Sequence, residues 1–112
     1  MIAENDEYRS RFVTCATKML YEAKLAVLAQ QLNKPGNVQT SLKSYKEWNS
    51  IINFPEYNDA KVRLSKSLLN NLDMIKAEIE SFEQNPENVN FKDIYQHIEN
   101  SLNLLTGLVG KG

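Results

Sequence analysis

The stretch over residues 64–82 carries apolar side chains at intervals of four or three residues, which alternate from Leu68 onward. This interval follows the 3.6-residue turn of an α-helix, so all of these side chains fall on one face. The series consists of Leu64, Leu68, Leu72, Ile75, Ile79 and Phe82. Such a seam is typical of helices that pack against each other lengthwise. We therefore expect a helix over 58–84 that buries one side in a bundle.

Three further segments have helical spacing of apolar residues, and they predict helices over 4–32, 41–53 and 91–106. The inner face of the first helix is broad, which indicates contact with more than one neighbour. The predicted inner residues are Tyr8, Phe12, Val13, Cys15, Met19, Leu20, Ala23, Ala26 and Val27 in the first helix, Leu42, Tyr45, Trp48 and Ile52 in the second, and Phe91, Ile94, Ile98, Leu102 and Leu105 in the last.

Proline-containing segments separate the four helices. Pro35 keeps Lys34 out of the helical region and Gly36 permits a positive φ, so the first helix is expected to end there. Pro55 ends the second helix in the same way, and the segment 85–88 ends the third.

The residues around these breaks supply candidate helix caps. Thr40, Ser41 or Ser44 could cap the second helix, and Asn90 the fourth. Asp93 would then lie in the first turn of the fourth helix, where negative charge favours the helix dipole. Because the linkers are short, consecutive helices are expected to be antiparallel neighbours.

The sequence therefore predicts an all-α fold, an antiparallel four-helix bundle in a single helical domain over 1–112. Two helices are long (4–32 and 58–84), one is short (41–53) and one is medium (91–106). A short second helix would leave part of the long helices uncovered, so either it crosses the bundle obliquely or a partner covers the gap. The predicted core comprises Phe12, Met19, Leu20, Leu68, Leu72, Ile75, Ile79, Ile98 and Leu102.

The charge composition restricts the classes of partner. Lys and Arg number 13 and Asp and Glu 14, which gives a net charge of −1. Tight sequence-independent nucleic-acid binding needs clustered cations, so this balance disfavours it. No apolar run reaches the roughly 20 residues that span a bilayer, and the acidic first residues do not resemble a signal peptide. One cysteine and no Asn-x-Ser/Thr acceptor predict a reducing cytoplasm, and frequent asparagine indicates a bacterial or phage source.

Catalytic or metal-binding chemistry needs several converging groups. His97 is the only histidine and Cys15 the only cysteine, which argues against a Cys/His zinc site and against a nucleophile–base pair. No phosphate-binding glycine loop occurs. We expect no enzyme, no metal and no cofactor, with Cys15 in the core and His97 packed at its boundary.

A small non-enzymatic protein–protein interaction module, of adaptor, inhibitor or immunity type, is the predicted function. Its partner would be another protein or a second copy. Large aromatic residues with a polar edge are frequent at interface hot spots, although Trp48 could equally plug the core. The candidate interface residues are Tyr45, Trp48, Tyr57, Lys61, Arg63 and Lys66.

The third predicted helix has an unusual order of charges, which opposes the helix dipole. Its first half carries Lys61, Arg63 and Lys66, and its second half Glu78, Glu80 and Glu83. Either this order arises by chance or is compensated by neighbouring helices, or the charges align an antiparallel copy or another partner.

The alternative function is a nucleic-acid-associated accessory factor that uses local basic patches. One candidate patch comprises Arg9, Arg11 and Lys18, and the other comprises the three cations of the third helix. Nucleic acid is thus an unlikely partner that the sequence leaves open.

Overall fold

The computed structural model describes the backbone of residues 2–58, 66–88 and 90–110, and the side chains of 8–58, 66–87 and 90–107. Over these residues the chain is helical, without a β-strand. The four α-helices are α1 (Ile2–Gln31), α2 (Pro35–Ile52), α3 (Lys66–Gln84) and α4 (Phe91–Gly110), with short 3-10 turns at Pro55–Tyr57 and Pro86–Asn88. None of these helices is long and apolar enough to cross a membrane.

Helix α1 lies between α2 and α4 and runs antiparallel to both. Lys24 of α1 forms an ion pair with Glu99 of α4, with 2.7 Å between Nζ and Oε1. Further along α1, Gln31 accepts a 2.8 Å hydrogen bond from the hydroxyl of Tyr95. Residue numbers therefore rise along α1 as they fall along α4. Only a short turn joins α1 to α2, and these two helices have the most extensive contact in the bundle.

Helix α3 closes the bundle between α2 and α4. Lys46 of α2 pairs with Glu83, at 2.5 Å between Nζ and Oε2. On the other side, the Nδ1 atom of His97 in α4 lies 2.6 Å from Oε1 of Glu78. The ring of contacts is therefore α1–α2–α3–α4, with each helix antiparallel to the next. This arrangement confirms the predicted all-α, antiparallel four-helix bundle.

The turn between α1 and α2 differs from the prediction in its left-handed residue. Asn33, and not Gly36, has a positive φ of 57°. The N–H of Lys34 donates to the carbonyl of Ala29 at 2.9 Å, and the N–H of Asn33 to that of Gln30 at 3.1 Å. These two bonds form a Schellman motif that satisfies the last carbonyls of α1, and asparagine tolerates the conformation better than most residues.

Helix α2 begins six residues earlier than predicted, at Pro35 instead of Ser41. Proline suits the first helical position because its φ is already helical and its missing N–H would have had no partner there. The predicted caps are wrong for the same reason. Thr40 lies inside the helix, where its hydroxyl donates to the carbonyl of Gly36 at 3.0 Å. With 18 residues, α2 is about 27 Å long, so it covers more of its neighbours than a short helix would.

The ends of α3 and α4 follow the prediction more closely. Helix α3 ends at Gln84, as expected, while its predicted start falls partly on residues 59–65, outside the described chain. The N–H of Asp93 donates to Oδ1 of Asn90 at 3.1 Å, which confirms Asn90 as the cap of α4. Helix α4 then continues to Gly110 instead of ending near residue 106.

The buried core joins all four helices in one cluster. All nine predicted core residues are at most 9% exposed, which confirms that prediction. Helix α1 also buries four alanines, which are Ala16, Ala23, Ala26 and Ala29. Because small side chains let helix axes approach closely, these alanines account for the intimate contact of α1 with its neighbours.

Tyr45 is the polar exception among the described core residues. It is 3% exposed, and its buried hydroxyl makes no hydrogen bond within the described part of the chain. Burial raises the pKa of the Tyr45 phenol, and the carboxylate of Glu80 acts in the same direction. The neutral phenol is therefore strongly favoured in the folded protein.

Ile79→Ala should lower the free energy of unfolding by roughly 2–5 kcal/mol, because it removes buried methyl groups and leaves a cavity. Ile79 is 1% exposed, whereas Met74 on the same helix is 43% exposed. Met74→Ala is the matched control and should change stability by no more than about 0.5 kcal/mol. Urea denaturation of both variants measures the difference. Equal effects of the two variants would contradict the assigned faces of α3.

Tyr45→Phe should leave the protein equally stable or more stable, because the hydroxyl loses solvent without gaining a hydrogen bond. In the unfolded chain the phenol loses its proton at a pKa of about 10, whereas in the folded protein it keeps the proton above that pH. The phenol therefore contributes fully to the free energy of unfolding below about pH 10, and this contribution declines at higher pH. The variant should therefore lose less stability than the native protein between about pH 10 and 12. Urea melts at several pH values test this. A clear loss of stability at neutral pH would mean that the hydroxyl is hydrogen-bonded.

Candidate interaction surface

The structure places the residues predicted for the interface in different environments. Tyr45 and Tyr57 are buried, at 3% and 8% exposure, so their rings belong to the core of the folded chain. Trp48 is partly buried and Lys66 is exposed. Lys61 and Arg63 lie outside the described residues. The four described residues therefore do not form one exposed surface, and the interface role of the six residues stays a prediction.

Tyr57 fixes the segment after α2 onto α1. Its ring centroid lies 6.2 Å from that of Tyr8 in an edge-to-face arrangement and 6.1 Å from that of Phe12. Burial raises the pKa of the Tyr57 phenol, and the neighbouring Cys15 thiol adds to the shift. Cys15 is half-buried and packs against the core, so it lies at the boundary of the core and not within it as expected. Its helical position is at the edge of the broad inner face, where Tyr57 covers it only in part.

Trp48 lies on the side of α2 that faces α1. The Nζ atom of Lys18 is 5.3 Å from the centre of its ring system, within the range of a cation–π interaction worth about 0.5–1 kcal/mol near the surface. The partly buried indole thus sits at the edge of the core. This position is compatible with a side chain that fills the core and with one that contacts a partner, so the interface role of Trp48 stays a prediction.

His97 is held in a side-chain pair and not in a cluster. Its ring contacts Glu78 at 2.6 Å, and both side chains are about a quarter exposed, at 28% and 22%. Among the residues that the structure describes, no three His, Cys, Asp or Glu side chains converge where they could hold a metal ion. His97 therefore links α3 to α4 at the boundary of the core.

The acidic end of α3 is compensated in part by the neighbouring helices. Glu83 forms an ion pair with Lys46 of α2, and Glu78 lies 2.6 Å from the ring of His97 in α4. The bundle therefore supplies a cation for one of the three carboxylates in the second half of this helix. The cations of its first half, apart from Lys66, lie outside the described residues.

A line of large apolar side chains runs along the outside of α1. Tyr21, Leu25, Leu28 and Leu32 are 52%, 49%, 42% and 58% exposed. They are separated by four, three and four residues, so Tyr21, Leu25 and Leu28 share one face of α1, and Leu32, directly after its last residue, continues the line. We call this set the outer stripe. It lies on the side of α1 opposite the core, and this part of the helix is consequently apolar on both sides.

A groove borders the outer stripe where α1 meets the start of α2. Its volume is about 270 Å³. One wall is apolar and comes from the stripe and Ala29, while the other is polar and comes from Lys34, Asn37, Thr40 and Ser41. An apolar strip with a polar edge is the composition that protein interfaces have at their centre and rim.

The sequence analysis did not identify the outer stripe, because the inner face of α1 was sufficient to explain how this helix packs in the bundle. Two lines of apolar residues interleave in the second half of this helix, one rich in alanine and one in leucine. The available signal was the regular spacing of Tyr21, Leu25, Leu28 and Leu32, which places a second apolar line on this part of α1 and leaves polar residues such as Glu22 and Lys24 on the sides between the two lines. Such a helix needs cover on more than one side.

The basic patch proposed for nucleic acid is divided in the structure. Arg9 is half-buried and Arg11 is exposed, as expected for residues two apart, which face different sides of a helix. Arg11 lies over the Tyr8 ring, 5.7 Å from its centroid, and Lys18 over Trp48. Nothing in this arrangement favours a nucleic-acid surface over ordinary cation–π packing.

Comparison with known proteins does not extend this description. The chain matches no protein-family model, no curated protein and no solved structure.

Proposed function

We propose that this chain is a non-enzymatic protein–protein interaction module and that the outer stripe of α1 is its working surface. The observation that carries the proposal is the stripe itself, four large apolar side chains that are each 42–58% exposed and lie in one line. Scattered apolar residues are normal on protein surfaces, but a contiguous set of them marks an interaction site.

The energetics of burial support this role. Complete burial of one leucine side chain is worth roughly 1.5–3 kcal/mol. Leu25, Leu28 and Leu32 are about half buried already, so each has a substantial part of that energy still to gain from a partner. A partner helix packed along the stripe would contact all of them at once, because helices bind each other through side chains spaced by three and four residues.

The polar wall of the neighbouring groove supports specificity. Lys34, Asn37 and Thr40 are exposed beside the stripe, where they can donate or accept hydrogen bonds at the rim of an interface. Polar rim groups determine orientation and exclude wrong partners more than they add affinity.

The described side chains support a non-enzymatic role. His97 is paired with Glu78, and Cys15 stands beside Tyr57 without an adjacent base among the described residues. Activated nucleophiles need such a base within hydrogen-bond reach. The lone half-buried thiol also fits the reducing cytoplasm, which we propose as the location of the protein.

A photo-crosslinking amino acid at position 28, in cells that naturally produce the chain, should give covalent adducts of discrete mass. The matched control is position 74, because Met74 is 43% exposed and Leu28 42%. That control residue lies on α3, away from the stripe, and should give no adduct. Denaturing gels and mass spectrometry identify the products.

A second variant shows that the adducts depend on the stripe. Leu25→Asp places a charge one turn away from position 28 and should abolish the crosslink, since charges are depleted at interface centres. No adduct at position 28, or equal adducts at positions 28 and 74, would contradict the proposal.

A further inference from the structure

The outer stripe is arranged to bind a second copy of itself. We infer that two chains associate through their α1 helices, packed antiparallel about a twofold axis that passes between Leu25 and Leu28. This inference rests on the proposed function and adds the identity of the partner. Three features carry it, namely the order of the stripe residues, the charges at its ends and its area.

The spacing of the outer stripe reads the same in both directions. The intervals four, three and four are unchanged when the helix is reversed. A twofold interface requires this symmetry, because if one residue contacts a second residue of the other copy, the second residue must contact the first in return. In the antiparallel dimer Tyr21 lies opposite Leu32 of the second copy, and Leu25 lies opposite Leu28 of the second copy.

The charges beside the stripe favour the antiparallel orientation. Glu22 lies near one end and Lys34 beyond the other. Antiparallel packing brings Glu22 of each copy to the end where Lys34 of the other copy lies, whereas parallel packing would place like charges together. Lys18, also near the Glu22 end, is exposed and keeps its charge beside the Trp48 ring, so it offsets part of the attraction between Glu22 and Lys34 of the other copy. Complementary charges of this kind fix orientation and register.

The area of the stripe suits a reversible dimer. Four half-exposed large side chains form a patch within the roughly 300–600 Å² of the largest apolar patches on monomers. A standard interface buries about 800 Å² on each partner, and about 60% of that is apolar. The stripe can therefore supply most of the apolar centre of such an interface, with a polar rim from α2 and α4. We expect a dissociation constant between about 1 μM and 1 mM.

Sedimentation equilibrium of the purified chain, over a concentration series up to about 1 mM, should show a reversible monomer–dimer equilibrium. The double variant Leu25→Asp/Leu28→Asp should weaken the dimer at least about 100-fold, because both changes place like charges at its centre. The control Met74→Asp/Leu104→Asp adds the same charge at side chains that are 43% and 37% exposed elsewhere. It should leave the equilibrium unchanged. Circular dichroism establishes that both variants are folded.

Disulfide formation tests the orientation independently of those variants. In a Cys15→Ala background, chains with Tyr21→Cys are mixed with chains with Leu32→Cys and oxidised. The two positions are 11 residues apart, or about 16 Å along the helix, while a disulfide needs Cα atoms within about 7 Å. Antiparallel packing should give the mixed 21–32 disulfide. Disulfides between two identical chains would show parallel packing and overturn the orientation.

The two experiments also separate this inference from the proposed function. A chain that stays monomeric to about 1 mM overturns the second copy as partner. If position 28 then still gives adducts with another protein in cells, the interaction function stands and only its partner changes. If position 28 gives no adduct either, both proposals fall.

Discussion

The close packing of α1 against its neighbours is the contact on which the rest of the bundle depends. Small side chains on its inner face, among them Ala16, Ala23 and Ala26, are fully buried and let α2 approach closely. The larger leucines of the same segment, such as Leu25 and Leu28, are thereby left on the outside. One packing solution thus produces both the tightest contact in the fold and its most exposed apolar surface.

Polar contacts orient the helices around this centre but contribute little stability. Lys24–Glu99 and Lys46–Glu83 are largely at the surface, where such pairs are worth about 0–1 kcal/mol. The side between α2 and α3 is the least closely packed. Tyr45, with its unbonded hydroxyl, is buried in α2 near Glu80 of α3. The apolar core therefore holds the bundle together, while the ion pairs match each helix to its antiparallel neighbour.

The proposed interaction surface differs from the one that aromatic residues indicated. Large aromatics are favoured at interfaces, but a small core also needs their volume, and here Tyr45 and Tyr57 fill it. The proposed working residues are mostly leucines on a face over which none of the described helices packs. Whether a residue is available for binding thus depends on whether its side chain is buried in the core of the folded chain.

The sequence by itself determined that the described segments are helical, which faces of them are buried and the cap at Asn90, because helical spacing and capping are local properties. It left the start of α2 ambiguous, since Pro35 can follow one helix or begin the next. Only the tertiary structure decided that the second apolar line of α1, through Leu25, stays exposed. Both lines have helical periodicity, so whether the second line is covered depends on how closely the other described helices pack against α1. That distance is set by contacts between segments remote in sequence, which local spacing does not encode.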